Sequence, residues 1–213
     1  MNNRSHEILP GIFHWTIAWP EIFPLESYHL VHDGLGVLID PVESSQLILP
    51  QCIEKAGAVI IMSSSHERSA RLFAKRAEAK IYVPEEAAST LEDVEIFETY
   101  KDGDILPGNL LAISISGDAG MLGEHALLSP LHGGTLFVAD CLGTTAKWTP
   151  WNIPLGGHPI AHPEPSRSLA NLLTYSFDNL LPGHGHPIVG GAKTVLRDLL
   201  NSGVSTSPPP GLY

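Results

Sequence analysis

The chain has 213 residues, 43% of them hydrophobic, with 20 glycines and 18 prolines, which suits one ordinary core in a loop-rich fold. Its 23 acidic residues against 12 basic ones leave a formal charge of -11 at pH 7, a balance that disfavours nucleic acid and anionic membrane surfaces as partners. Only Cys52 and Cys141 are present and they form no CxxC pair, so neither a disulfide framework nor a thiolate zinc site is indicated; the expectation is a soluble, cytoplasmic protein.

In chain order, EILPGIFHWTIAW, SYHLVHDG and LGVLIDPV read as three strands, with a tight hairpin turn at Asp33-Gly34. SQLILPQCIEKAGA is helix-like despite Pro50, and AVIIM (58–62) is a short apolar run suited to a buried strand. In HERSARLFAKRAEA the positions Ala70, Phe73, Ala74 and Ala77 recur at i, i+3, i+4 and i+7, the pattern of an amphipathic helix. Ser64 and Glu67 spell S-x-x-E, a capping box at its start. KIYVPE follows as a strand. Strand, helix, strand, helix, strand implies a mostly parallel layer covered by helices.

The second half opens with a turn at Lys101-Asp102-Gly103-Asp104, then the strand NLLAISISG, then HALLSPLH and TLFVAD joined across Gly133-Gly134. Residues 142–165 carry five prolines and two tryptophans without any period, and irregular segments of that length are commonly functional. Ser166 is placed to cap a helix that uses Leu169, Leu172 and Leu173, NLLPGHG reads as strand and turn, and Ala192, Val195, Leu196, Leu199 and Leu200 mark a last amphipathic helix. Residues 1–203 are expected to form a single domain, with 204–213 a flexible tail.

The capping box leaves His66 and Arg68 without a role, at the end of a buried strand where α/β sheets commonly place ligands. Asp140 ends the apolar run TLFVAD, and His184 follows another strand in LPGHGH. A serine elbow would need G-x-S-x-G and a zincin helix would need HExxH; neither is present. Ser64 or Ser65 acting with adjacent His66 is therefore a poor nucleophile candidate. His6, His14, His29, His32 and His132 fall on strands or turns and draw no role.

With these words in this order, the chain resembles the metallo-β-lactamase fold superfamily over nearly its whole length. The matching text is LIDPV (38–42), the strand-loop-helix at 58–77 with KIYVPE after it, GEHALL (123–128) ahead of TLFVAD, and SLANLLTYSFDNLLPGHGHPI (168–188). The resemblance implies an α/β fold, a four-layer αβ/βα sandwich of two similar halves, and a metal-dependent hydrolase with one or two ions at the sandwich edge. The family's H-x-H-x-D-H falls on Ser64, His66, Arg68 and Ser69, so only its second histidine is kept. Its next histidine falls near SGDAGMLGEH, where Asp118 is the nearest replacement and His125 a weaker one. Its bridging aspartate falls on Asp140 and its last histidine on His184.

Two readings stay open on these residues. In one, His66, Asp140 and His184 share a single divalent ion (zinc, iron or manganese) with Asp118 as a fourth ligand, and the protein hydrolyses a small ester, thioester, lactone or phosphoester. Asp140 and Arg68 would then take part in catalysis, and Ser64, Trp148 and Trp151 would line the ligand pocket. In the other, no metal is held: Arg68 replaces the metal's charge, pairs with Asp140, and the pocket binds an anionic ligand or a partner. In this second reading the loop with Trp148 and Trp151 is expected to act as a lid or dimer contact, and a homodimer follows in either reading if that loop packs across a twofold axis.

Overall fold

A computed structural model describes residues 5–17, 24–43, 55–91, 97–115, 123–144, 150–151 and 167–201. The first half builds one seven-stranded sheet whose strands lie in sequence order: β1 (His6–Leu9), β2 (Ile12–Ile17), β3 (Leu25–His32), β4 (Leu35–Ile39), β5 (Ala56–Ile60), β6 (Lys80–Pro84) and β7 (Phe97–Tyr100). The expected mostly parallel layer is found only from β4 onward, since β1 to β4 pair antiparallel and β4 to β7 parallel. The cause is local, because a tight turn can return the chain only antiparallel. Asp33 and Gly34 both take positive φ (50° and 77°), as a primed hairpin turn requires. EILPGIFHWTIAW likewise divides at Pro10-Gly11, where Gly11 has φ 78°, so the stretch expected to be one strand is two.

The second half forms a five-stranded sheet from β8 (Ile105–Leu106), β9 (Leu110–Ser114), β10 (His125–Ser129) and β11 (Thr135–Val138). A separate two-stranded ribbon, β12 (Gly143–Thr144) with β13 (Pro150–Trp151), intervenes before β14 (Asn179–Pro182) completes the sheet in the order β14-β11-β10-β9-β8. The helices are α1 (Ala70–Ala77), α2 (Glu85–Ala88), α3 (Arg167–Leu172) and α4 (Ala192–Asn201).

Strand periodicity distributes the apolar side chains between two faces. Tyr28, Leu30, Val37, Ile39, Ala58 and Ile60 of the first sheet meet Leu110, Ala112, Leu127, Phe137 and Leu181 of the second in the central core. The alternate residues Leu38, Val59 and Ile61 pack outward under Phe73 and Ala74 of α1. On the far side Leu136, Val138 and Leu180 pack under Leu169, Leu172 and Leu196 of α3 and α4. The result is four layers, helix on sheet on sheet on helix.

The start of α1 corrects the capping-box expectation. The helix begins after Ser69, with no side-chain cap, and Arg68 just before it has φ 45°. That left-handed residue separates Glu67 from the helix, so Ser64 and Glu67 cannot occupy the positions a capping box needs. Glu67 instead pairs forward with Arg71, and Ser69 Oγ accepts from the Glu43 N–H at 3.0 Å. The helix-like reading of SQLILPQCIEKAGA fails at its end, where Ala56–Ala58 belong to β5, while its part up to residue 54, Ser166 as a cap, most of the Trp/Pro loop and the expected tail lie outside the described residues. Among the described residues no helix is long and apolar enough to cross a membrane.

Candidate metal centre

Four strand ends meet at one rim of the sandwich. Parallel pairing of β4 with β5 sets Asp40 beside the loop 63–69, and parallel pairing of β11 with β14 sets Asp140 beside Gly183-His184. His66 Nε2 and His184 Nε2 each lie 3.1 Å from the same oxygen, Asp140 Oδ1. The ligand atoms of these three residues lie within 4.8 Å of one another, and no other such group occurs among the described residues. All three are at most 3% exposed.

The outer nitrogens of the two imidazoles are both occupied. His66 Nδ1 donates to Asp40 Oδ2 at 2.6 Å, and His184 Nδ1 donates to the Pro24 carbonyl at 3.0 Å. A carbonyl can only accept, so the proton of neutral His184 sits on Nδ1 and its Nε2 lone pair faces inward. The same holds for neutral His66. Two lone pairs and a carboxylate oxygen then converge, and only a cation or added protons can make that arrangement favourable.

The ionisation of the metal-free cluster expresses this demand. Burial and the Arg68 charge lower the pKa of His66, but Asp140 and Asp40 outweigh them and hold it at about 9. Burial raises the Asp140 pKa, yet the His66 charge and hydrogen bonds from His184, His66 and Ser65 bring it well below the usual carboxylate value. Asp40 is fixed in turn by the Met62 N–H, which donates to its Oδ1 at 2.9 Å. The backbone of Asp40 is itself left-handed, with φ 46°.

Arg68 does not pair with Asp140 as expected; no hydrogen bond joins them among the described residues. Its left-handed backbone sends the guanidinium behind His66, where Nη1 donates to the carbonyls of Glu26 (2.7 Å) and Asp40 (3.2 Å). Nη2 reaches the Gly183 carbonyl at 3.3 Å and His66 Nε2 at 3.2 Å. Backbone oxygens thus take most of its donors. Glu26 also has a buried carboxylate that accepts from His14 Nε2 and Thr16 Oγ1, both at 2.6 Å.

Ser64 is half-buried, and the hydroxyl that touches the cluster belongs to Ser65, which donates to Asp140 Oδ2 at 2.7 Å. His125 is buried with its ring edge-on to Tyr100 and Nδ1 bonded to the Gly123 carbonyl, so it stands outside the ligand group. Asp118 and Trp148 lie outside the described residues, and Trp151 falls on β13. Sequence reasoning missed Asp40 and Ser65. For Asp40 a signal existed: GVLID, like TLFVAD, is an apolar run ending in aspartate.

The donor set suits one divalent ion, since two neutral imidazoles and a carboxylate are a sufficient protein shell for zinc or iron with open positions left over. Among the described residues no second group of this kind stands beside it.

Neither a protein-family model nor a curated protein matches the sequence. Solved structures do match. A metallo-beta-lactamase family protein from Thermus thermophilus is similar with a TM-score of 0.64 at 15% identity, over 92% of this chain and 80% of that one. A metallo beta lactamase from Hirschia baltica gives 0.63 at 12% identity, over 93% and 96%. A mutant flavo di-iron protein from Thermotoga maritima gives 0.69 at 15% identity, and there the match spans 93% of this chain but 61% of the other. Two facing sheets clad by helices, with a His/Asp/His cluster at one rim that could hold an ion, define an αβ/βα sandwich. It is the metallo-β-lactamase fold, carried by a sequence of low identity to these structures.

Proposed function

We propose that the protein is a mononuclear metal-dependent hydrolase acting on a small ester, thioester, lactone or phosphoester, with His66, Asp140 and His184 holding zinc, iron or manganese. One observation carries the reading: both histidines give their Nδ1 hydrogens away, to Asp40 and to the Pro24 carbonyl, and so present Nε2 to Asp140 Oδ1. A divalent ion at that point supplies Lewis acidity for a carbonyl or phosphoryl oxygen and acidifies water towards a pKa of ~7. Asp40 orients His66, Ser65 holds the second oxygen of Asp140, and the Arg68 guanidinium ties the segments of Glu26, Asp40 and Gly183 together behind them. Solved structures of this fold are named for a metallo-beta-lactamase and a flavo di-iron protein, and two histidines with one carboxylate suit zinc or iron alike, which is why both metals are included. A cytoplasmic location and a homodimer built through the Trp148 and Trp151 loop belong to the same proposal.

Elemental analysis of freshly purified protein, prepared without chelator, is the first test. About one equivalent of metal per chain is expected, together with its loss in His66→Ala and His184→Ala and hydrolysis of at least one member of a chromogenic ester, lactone and phosphoester panel. Protein that retains no metal and takes none up on titration would sink the reading. The alternative is a metal-free binding protein in which Arg68 supplies the charge, and the approach of Nη2 to His66 Nε2 at 3.2 Å favours it. For that alternative, ligand-induced change in tryptophan fluorescence without metal is the positive sign.

A further inference from the structure

We infer that Arg68 is a built-in competitor for the metal position, a side chain whose guanidinium lies against the nitrogen that an ion must bind and so sets how tightly the site holds it. The inference rests on the single-ion reading above. Its basis is the geometry at His66 Nε2, where Arg68 Nη2 approaches to 3.2 Å and Asp140 Oδ1 to 3.1 Å. With Nδ1 committed to Asp40, Nε2 is the atom left for an ion, and the fixed guanidinium stands 3.2 Å from it.

Arg68 is held in this place. Its Nη1 donates to the Glu26 and Asp40 carbonyls and its Nη2 to the Gly183 carbonyl, three acceptors drawn from both sheets, so the guanidinium is preorganised rather than swinging in from solvent. Gly183 is needed for this closeness, because a Cβ there would stand 2.8 Å from His66 Cε1. A permanent cation fixed beside Nε2 opposes an incoming dication in two ways, by crowding the nitrogen the ion must reach and by charge repulsion in a poorly solvated place. The two aspartates, Asp40 and Asp140, offset part of that repulsion. The site is thus built to be filled weakly or reversibly, and metal uptake requires Nη2 to withdraw from His66 while its carbonyl contacts remain.

The test is a Zn(II) competition titration of the full chain against a chromophoric chelator at neutral pH, comparing the natural protein with Arg68→Gln and Arg68→Lys. Circular dichroism checks the fold of each. Arg68→Gln keeps a donor for the carbonyls and removes the charge, and is expected to bind Zn(II) at least tenfold more tightly; Arg68→Lys, still cationic, should stay within about threefold of the natural protein. Equal or weaker binding by a folded Arg68→Gln, with the natural protein taking up one equivalent, overturns the inference and leaves the metal site standing. If no variant binds Zn(II), the single-ion reading itself fails and the inference goes with it. Should Arg68→Gln not fold, nitrogen-15 NMR of the natural protein decides: the guanidinium signals of Arg68 must shift in step with one equivalent of Zn(II), and signals that do not move overturn the inference.

Discussion

Asp40 and Asp140 grip the two nitrogens of His66 from opposite sides, one at 2.6 Å and one at 3.1 Å, in a place from which water is nearly excluded. Without metal the imidazole is best kept protonated, and its pKa of about 9 against 6.5 in an open chain makes that preference a term in folding stability. Since the folded value is the higher one, the stabilisation is full below pH 6.5 and is lost as pH rises through about 9. Chelator-treated protein should therefore melt at lower temperature at pH 9 than at pH 6.5, by an amount corresponding to a few kcal/mol, and Asp40→Asn should flatten the profile. A flat profile in the natural protein would contradict the account. Metal affinity should run the other way and increase over the same range, because the ligand must be deprotonated. His66, Asp140 and His184 were legible in the sequence because each closes or follows an apolar run at the start of a loop. Asp40 ends one too, but its role depends on a left-handed backbone at φ 46° that turns its carboxylate towards a loop 26 residues further on, and no local pattern records such a meeting.

At the level of elements, strands carried by apolar runs were readable, while connections were readable only where turn chemistry is strong. Asp33-Gly34 announces its hairpin; Arg68 gives no comparable warning that it will adopt φ 45° and detach Glu67 from α1. The capping-box pattern was present and unused, because the loop 63–69 is committed to Asp140 through Ser65 and to three carbonyls through Arg68. The turn after β14 is under similar demand. Gly183 donates its N–H to the Val138 carbonyl at 2.7 Å, and an added Cβ would meet His66 Cε1 at 2.8 Å and the Ala139 carbonyl oxygen at 3.2 Å. Since His66 is clamped at both nitrogens, it cannot yield freely. Gly183→Ala is expected to weaken Zn(II) binding by at least tenfold while lowering stability by roughly 1–3 kcal/mol, the usual cost of overpacking. Unchanged affinity in that variant would mean that the ring has more room than its hydrogen bonds imply.

Taken as a whole molecule, the sandwich divides the site between its halves: His66 and Asp40 come from the first sheet, Asp140 and His184 from the second. The ligand geometry consequently depends on how the two sheets are seated, and the central core of Tyr28, Ile39, Ile60, Phe137 and Leu181 does the seating. Tyr28 adds a directional tie. Its hydroxyl crosses from β3 to donate to the Pro182 carbonyl at 2.7 Å, two residues before His184, and its ring lies edge-on to Phe137. Leu196 on α4 packs on the outer face of the second sheet, away from the ligands. Two substitutions separate stability from seating. Tyr28→Phe should cost about 1 kcal/mol for the hydrogen bond, with some further loss for an unpaired carbonyl, and yet loosen Zn(II) binding measurably because His184 loses its anchor. Leu196→Ala should cost more, about 2–5 kcal/mol, and leave the affinity of the folded protein within twofold. Denaturant melts paired with Zn(II) titration read both quantities on the same samples. If affinity followed stability across the two variants regardless of which face was cut, the sheets would not be positioning the ligands independently, and the centre would have to be understood as held by its own hydrogen bonds alone.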